Sequence, residues 1–142
     1  MSKILISGYY GFANAGDEAM LTAIIESLRQ VEKNVELTVL SGNPEDTAAK
    51  HQVCSVYRFN PLGIIRAMKD SELIISGGGS LLQDVTSKRS LLYYLSIIGL
   101  GKFFGKKVML FAQGIGPIRA KWARKLTSLV WNAGSTCCRR LV

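Results

Sequence analysis

Short apolar runs that end in glycine alternate with longer helical patterns along this chain, and that alternation leaves few folds open. Ile4-Leu5-Ile6-Ser7 stops at Gly8, Leu73-Ile74-Ile75-Ser76 stops at Gly77, and Lys107 to Ala112 runs into Gln113-Gly114. Elsewhere apolar residues recur at helical spacing, as in Met20, Leu21, Ile24, Ile25 and Leu28. The pattern predicts strands at 3–7, 35–41, 53–57, 73–76 and 107–112. Helices are expected from Asp17, which can cap, from Pro44 behind Asn43, and from Pro61 behind Asn60 through Met68. Two more are expected over 90–104 and from Arg119 to about Asn132. Strands separated by helices imply parallel βαβ units in one sheet, an α/β, Rossmann-like fold with helices on both faces. The last two runs are continuously apolar, as strands buried on both faces are. Ligands of such sheets gather outside the C-terminal strand ends. The three glycine loops are therefore the places where function is expected.

The first loop is Gly8-Tyr9-Tyr10-Gly11-Phe12-Ala13-Asn14-Ala15-Gly16-Asp17-Glu18. Gly11 and Gly16 have the spacing of a nucleotide-binding P-loop, but Asp17 and Glu18 stand where Lys and Ser or Thr would follow. Two carboxylates at a helix N-terminus repel a phosphate and already satisfy the helix dipole. Gly8 and Gly11 either close a tight turn or admit a ligand. Tyr9, Tyr10 and Phe12 either flank the core or, for Tyr9, face a substrate. Asn14 offers donors and an acceptor beside small residues, and Asp17 either caps the helix or also accepts a sugar hydroxyl. The second loop, Gly77-Gly78-Gly79-Ser80-Leu81-Leu82-Gln83-Asp84, has no bulk at its start to fill a core. Gln83 and Asp84 either orient hydroxyls or cap the next turn. In the third, Gln113 follows a buried strand and needs a partner, while Gly114 and Gly116 keep space open beside it. The candidate substrate-binding residues are thus Tyr9, Asn14, Gly16, Asp17, Gly77, Gly78, Gly79, Gln83, Asp84, Gln113, Gly114 and Gly116.

Composition narrows the chemistry. The 142 residues are 48% apolar and 20% charged, enough core to exclude disorder. The formal charge of +8 suits an anionic substrate or membrane surface. No basic stripe interleaved with aromatics appears, so nucleic acid is not expected. The apolar stretch from Leu91 to Phe104 is broken by Gly99, Gly101 and Lys102 and is too short to cross a bilayer. Three cysteines, two of them the vicinal Cys137 and Cys138, make no disulfide framework, so a cytoplasmic location is expected. A dinucleotide fingerprint is absent from the first turn, and Ser41-Gly42-Asn43 rather than an acid ends the second strand. No cofactor is expected, and no metal, since His51 is the sole histidine and no cysteine pair has zinc spacing. His51 falls late in its helix, running toward the edge opposite the glycine loops, and is a poor catalytic candidate.

The run Ile6 to Ala19 resembles the opening of the polysaccharide pyruvyl transferase family. Ser76 to Asp84 and Ala112 to Pro117 resemble its second and third blocks, in matching order and approximate separation. The bacterial cell-surface anchoring type is the nearest in pattern, and the resemblance spans about residues 3–133. It implies transfer of the enolpyruvyl group of phosphoenolpyruvate, as a cyclic ketal, onto two hydroxyls of one sugar. The implied acceptor is N-acetylmannosamine in a lipid-linked glycan, met at the inner membrane face. The implied fold pairs two Rossmann-like domains as in GT-B glycosyltransferases, of which this chain is the N-terminal half.

The resemblance also implies that the catalytic residues and several phosphate-binding cations belong to a C-terminal domain beyond Val142. The tail at 134–142, Gly134-Ser135-Thr136-Cys137-Cys138-Arg139-Arg140-Leu141-Val142, departs from the family pattern and implies a frameshift or a gene-prediction artefact. Two other readings stay open: half of a GT-B glycosyltransferase that uses a nucleotide sugar, and a non-catalytic sugar-binding remnant.

Overall fold

A computed structural model describes residues 2–12, 15–77, 88–111, 121 and 125. Five strands alternate with four helices in them: β1 (Lys3–Ser7), α1 (Ala15–Val31), β2 (Glu36–Ser41), α2 (Pro44–His51), β3 (Cys54–Tyr57), α3 (Pro61–Asp70), β4 (Leu73–Gly77), α4 (Lys88–Phe103) and β5 (Lys107–Phe111). Every neighbouring pair is parallel, and the order is β3-β2-β1-β4-β5. The α/β, Rossmann-like expectation therefore holds. Lys121 and Lys125 are helical, in the stretch where a further helix is expected; the rest of that stretch and the tail at 134–142 lie outside the described residues.

Local chemistry explains the boundaries. Asn43 accepts a hydrogen bond from the Asp46 amide at 3.4 Å, and Asn60 accepts one from the Gly63 amide at 3.2 Å. Each cap is followed by a proline whose fixed φ suits the first helical turn. Gln52 ends α2 in the left-handed region, its amide returning to the Ala48 carbonyl at 2.9 Å. One difference from the sequence reading changes a residue's role. The first helix starts at Ala15, so Asp17 occupies its first turn instead of capping it.

Alternation along the central strands divides the core into two layers. Leu5, Leu40 and Ile74 face α3 and α4, where they meet Ile64, Met68, Tyr94, Leu95, Ile97 and Ile98. Ile4, Ile6, Val39 and Ile75 face the other way, onto Leu21, Ile24 and Ile25 of α1. The two faces follow from right-handed crossovers that reverse direction when the chain passes from β3 to β4. That reversal puts β1 and β4 side by side, with Ser7 opposite Ser76 at their C-terminal ends. A crevice at this topological switch point is where a doubly wound sheet binds its ligand. Among the described residues no helix is long and apolar enough to cross a membrane.

Candidate functional site at the switch point

The loop after β1 is locked from both sides. On one side the Tyr10 hydroxyl donates to the Gly77 carbonyl at 2.9 Å, tying the first glycine loop to the start of the second. Tyr10 is fully buried, and burial pushes its hydroxyl well above the ordinary phenol value, so it stays protonated as a donor. Gly8 is required for this contact. A Cβ there would lie 2.6 Å from the Gly77 carbonyl oxygen and 2.5 Å from the Tyr10 ring. On the other side Gly11 adopts a φ of +84°, and any side chain at Gly11 would overlap Ser41 Oγ and stand 2.5 Å from the Asn43 amide. Both glycines are thus explained by close packing of this chain on itself, the turn-closing alternative of the sequence reading.

The two acids of the loop separate into different roles. Glu18 Oε1 accepts the Gly11 amide at 2.9 Å, and Glu18 Oε2 lies 3.2 Å from His51 Nε2. His51 therefore reaches the glycine-loop edge, contrary to the sequence reading. Its backbone does end α2, where the His51 and Gln52 carbonyls accept from the Arg29 guanidinium. But α2 is short and lies on the α1 side of the sheet, so the ring spans back to the first turn of α1. Asp17 is different. Its carboxyl is held above the ordinary value, first by burial and second by the Glu18 charge. It stands in the first turn of α1 beside Gly16.

A second feature went unmarked in the sequence. Arg58 follows β3 directly and is only 6% exposed. Its guanidinium carbon lies within 6.0 Å of five ring centroids: Tyr9 and Phe12 from the first loop, Phe59, and Tyr93 and Tyr94 from α4. Tyr93 is nearest, at 4.5 Å, and its hydroxyl donates to the Arg58 carbonyl at 2.8 Å. Burial pushes the Tyr93 hydroxyl up to about 12, against a smaller downward pull from Arg58. Tyr9 and Phe12 stack on each other at 4.4 Å and 13°, and both remain open to solvent, at 38% and 42% exposure. A cation placed immediately after a strand of a parallel sheet was the available signal for Arg58; its rings come from segments too far apart in sequence to be paired with it by spacing.

The structure thus brings Tyr9, Gly16, Asp17 and Gly77 to the β1/β4 edge, joined there by Tyr10, Glu18, His51 and Arg58. Asn14, Gly78, Gly79, Gln83, Asp84, Gln113, Gly114 and Gly116 lie outside the described residues. A separate cleft of about 440 Å³, lined by Arg29, Leu37, Gln52 and Cys54 among others, sits at the opposite, N-terminal ends of β2 and β3. It shares no residue with the loops and takes no part in the site.

No curated protein and no solved structure matches the chain. The family model described as polysaccharide pyruvyl transferase matches residues 14–136, a span that runs from the first glycine loop through the second and third. With that match covering most of its length, this chain belongs to the polysaccharide pyruvyl transferase family.

Proposed function

We propose that the β1/β4 edge holds the sugar acceptor during transfer of an enolpyruvyl group from phosphoenolpyruvate. The observation that carries this reading is the division of labour between the two acids. Glu18 braces the loop, while Asp17 sits in the first turn of α1 with its charged form disfavoured by burial and by Glu18. A carboxylate so placed repels a phosphate and gains from a hydroxyl donor. In the transfer the enol methylene carbon takes a proton from a general acid, two acceptor hydroxyls add in turn to the neighbouring carbon, and inorganic phosphate leaves. Asp17 would orient one of those hydroxyls and ease the departure of its proton. Tyr9 would line the sugar, and Asn14, Gly16 and the glycines of the second and third loops would complete the acceptor side.

The general acid and the cations that neutralise the donor's phosphate would come from a second domain facing this edge, in a GT-B-like pair. The acceptor in this reading is an N-acetylmannosamine-containing, lipid-linked glycan reached at the cytoplasmic membrane face, for which the +8 charge is suited. The test is phosphate release from phosphoenolpyruvate by a two-domain protein that joins this chain to such a second domain, with and without a β-N-acetylmannosamine acceptor. Acceptor-dependent release supports the reading. Acceptor-independent release, or none, contradicts it.

A further inference from the structure

Buried polar atoms are almost always hydrogen-bonded, so those that are not point to something. Among the described residues three buried side-chain atoms have no hydrogen-bond partner: Ser7 Oγ, Arg58 Nε and Tyr94 Oη. They are far apart in sequence and belong to one side of the sheet near its C-terminal edge. Ser7 ends β1, and strand alternation puts it on the face of Leu5, toward α3 and α4. Tyr94 comes from α4 on that same face, and its ring lies 5.8 Å from the Arg58 guanidinium carbon. Arg58 comes in from the end of β3. All three are more than nine-tenths buried, and all three are donors.

Arg58 has no carboxylate partner among the described residues; its surroundings are five aromatic rings. Ring faces stabilise a cation but accept no directional hydrogen bond from Nε. A guanidinium, a phenol and a hydroxyl with unused hydrogens on one side of the sheet edge suit an oxyanion, and a guanidinium fork suits phosphate in particular. The outer members of the aromatic box are Tyr9, Phe12 and Phe59, which are exposed, whereas Tyr94 is its inner wall. The stacked Tyr9–Phe12 pair offers a flat apolar face at the rim, of the kind a hexose covers with its C–H groups.

We propose that Ser7, Arg58 and Tyr94 form a binding site for the phosphate group of a glycosyl phosphate, whose sugar lies against Tyr9 and Phe12. The inference rests on reading this edge as the acceptor side, and it adds that the acceptor is recognised through a phosphate and not through its hydroxyls alone. It also resolves the electrostatics of the edge. Asp17 and Glu18 belong to α1, over the other face of the sheet from Ser7, so one face of the crevice takes hydroxyls and the other takes the anion.

Binding to the 142-residue chain tests this without any transfer step. The probes are N-acetylmannosamine 1-phosphate, free N-acetylmannosamine, inorganic phosphate and phosphoenolpyruvate, titrated by calorimetry or by thermal shift. The sugar phosphate is expected to bind at least ~10-fold more tightly than the free sugar, the difference a charge-assisted hydrogen bond makes. Arg58→Met is expected to remove that difference, and Ser7→Ala and Tyr94→Phe to reduce it. Ser7→Ala and Tyr94→Phe each remove an unsatisfied buried polar atom, so both should leave the melting temperature unchanged or raise it, whereas Arg58→Met also gives up the ring contacts and is read by affinity alone. A purely structural role predicts a lowered melting temperature for Ser7→Ala and Tyr94→Phe and unchanged affinity in all three variants. That result would overturn the proposal, as would equal affinity for free and phosphorylated sugar. Arg58-dependent binding of phosphoenolpyruvate tighter than that of the sugar phosphate would also overturn it, by assigning the site to the donor. If Arg58 binds the sugar phosphate and the two-domain protein fails to transfer, only the transfer reading fails. If it transfers and acceptor affinity ignores Arg58, only this one does.

Discussion

Glu18 and Asp17 are neighbours with the same functional group, and their surroundings give them different work. Glu18 accepts a backbone amide of the strained Gly11 turn and meets His51. Replacing Glu18 with alanine should cost about 2 kcal/mol, the value of a charge-assisted bond to a partly buried amide. Glu18→Gln keeps an acceptor for Gly11 and should cost less; urea denaturation of the two variants checks the order. Asp17 should behave otherwise. Its folded-state pKa is raised, so between the ordinary carboxylate value and the raised one the folded protein holds more protons than the unfolded chain. Stability from this group is therefore lost as pH rises through that window. Asp17→Asn should gain on the parent protein as the pH rises above the ordinary carboxylate value, by a modest margin because the side chain is only partly buried. Paired melts across that rise would show it. The sequence named both acids but could not divide them, because the division depends on a glycine turn and on a histidine 33 positions away.

At the scale of elements, the reading from sequence was strongest where chemistry is local. Asn43 and Asn60 with their following prolines mark helix starts by themselves, and the apolar runs mark strands. It was weaker at α1, where the helix begins at Ala15, two residues before the acid expected to cap it. It failed for contacts between elements. The Tyr10–Gly77 bond joins residues 67 apart, and nothing in the spacing of either predicts it. That bond holds the first glycine loop on the end of β4. Tyr10→Phe deletes the donor, leaves the Gly77 carbonyl without it, and should destabilise by about 1–2 kcal/mol. Amide hydrogen exchange in the variant should rise at the ends of β1 and β4 and stay as it was in β3.

The whole molecule follows from one topological fact, the strand order β3-β2-β1-β4-β5. It sets α1 and α2 on one side and α3 and α4 on the other, and it opens the crevice at β1 and β4. The alternation of runs and helices made the parallel sheet legible, and Gly8 and Gly77 marked the strand ends that meet at the switch point. The aromatic box around Arg58 was not, since its rings gather from the first loop, the turn after β3 and α4 only once the sheet has formed. The central claim is that this edge presents a sugar hydroxyl to a pyruvyl donor through Asp17. Its most direct test is the rate of phosphate release from phosphoenolpyruvate with a β-N-acetylmannosamine acceptor, in the two-domain protein and in its Asp17→Ala variant. The account predicts release that depends on the acceptor and falls at least ~10-fold in the variant, with the melting temperature lowered by no more than a lost first-turn acid explains. Release that the substitution leaves intact would contradict it.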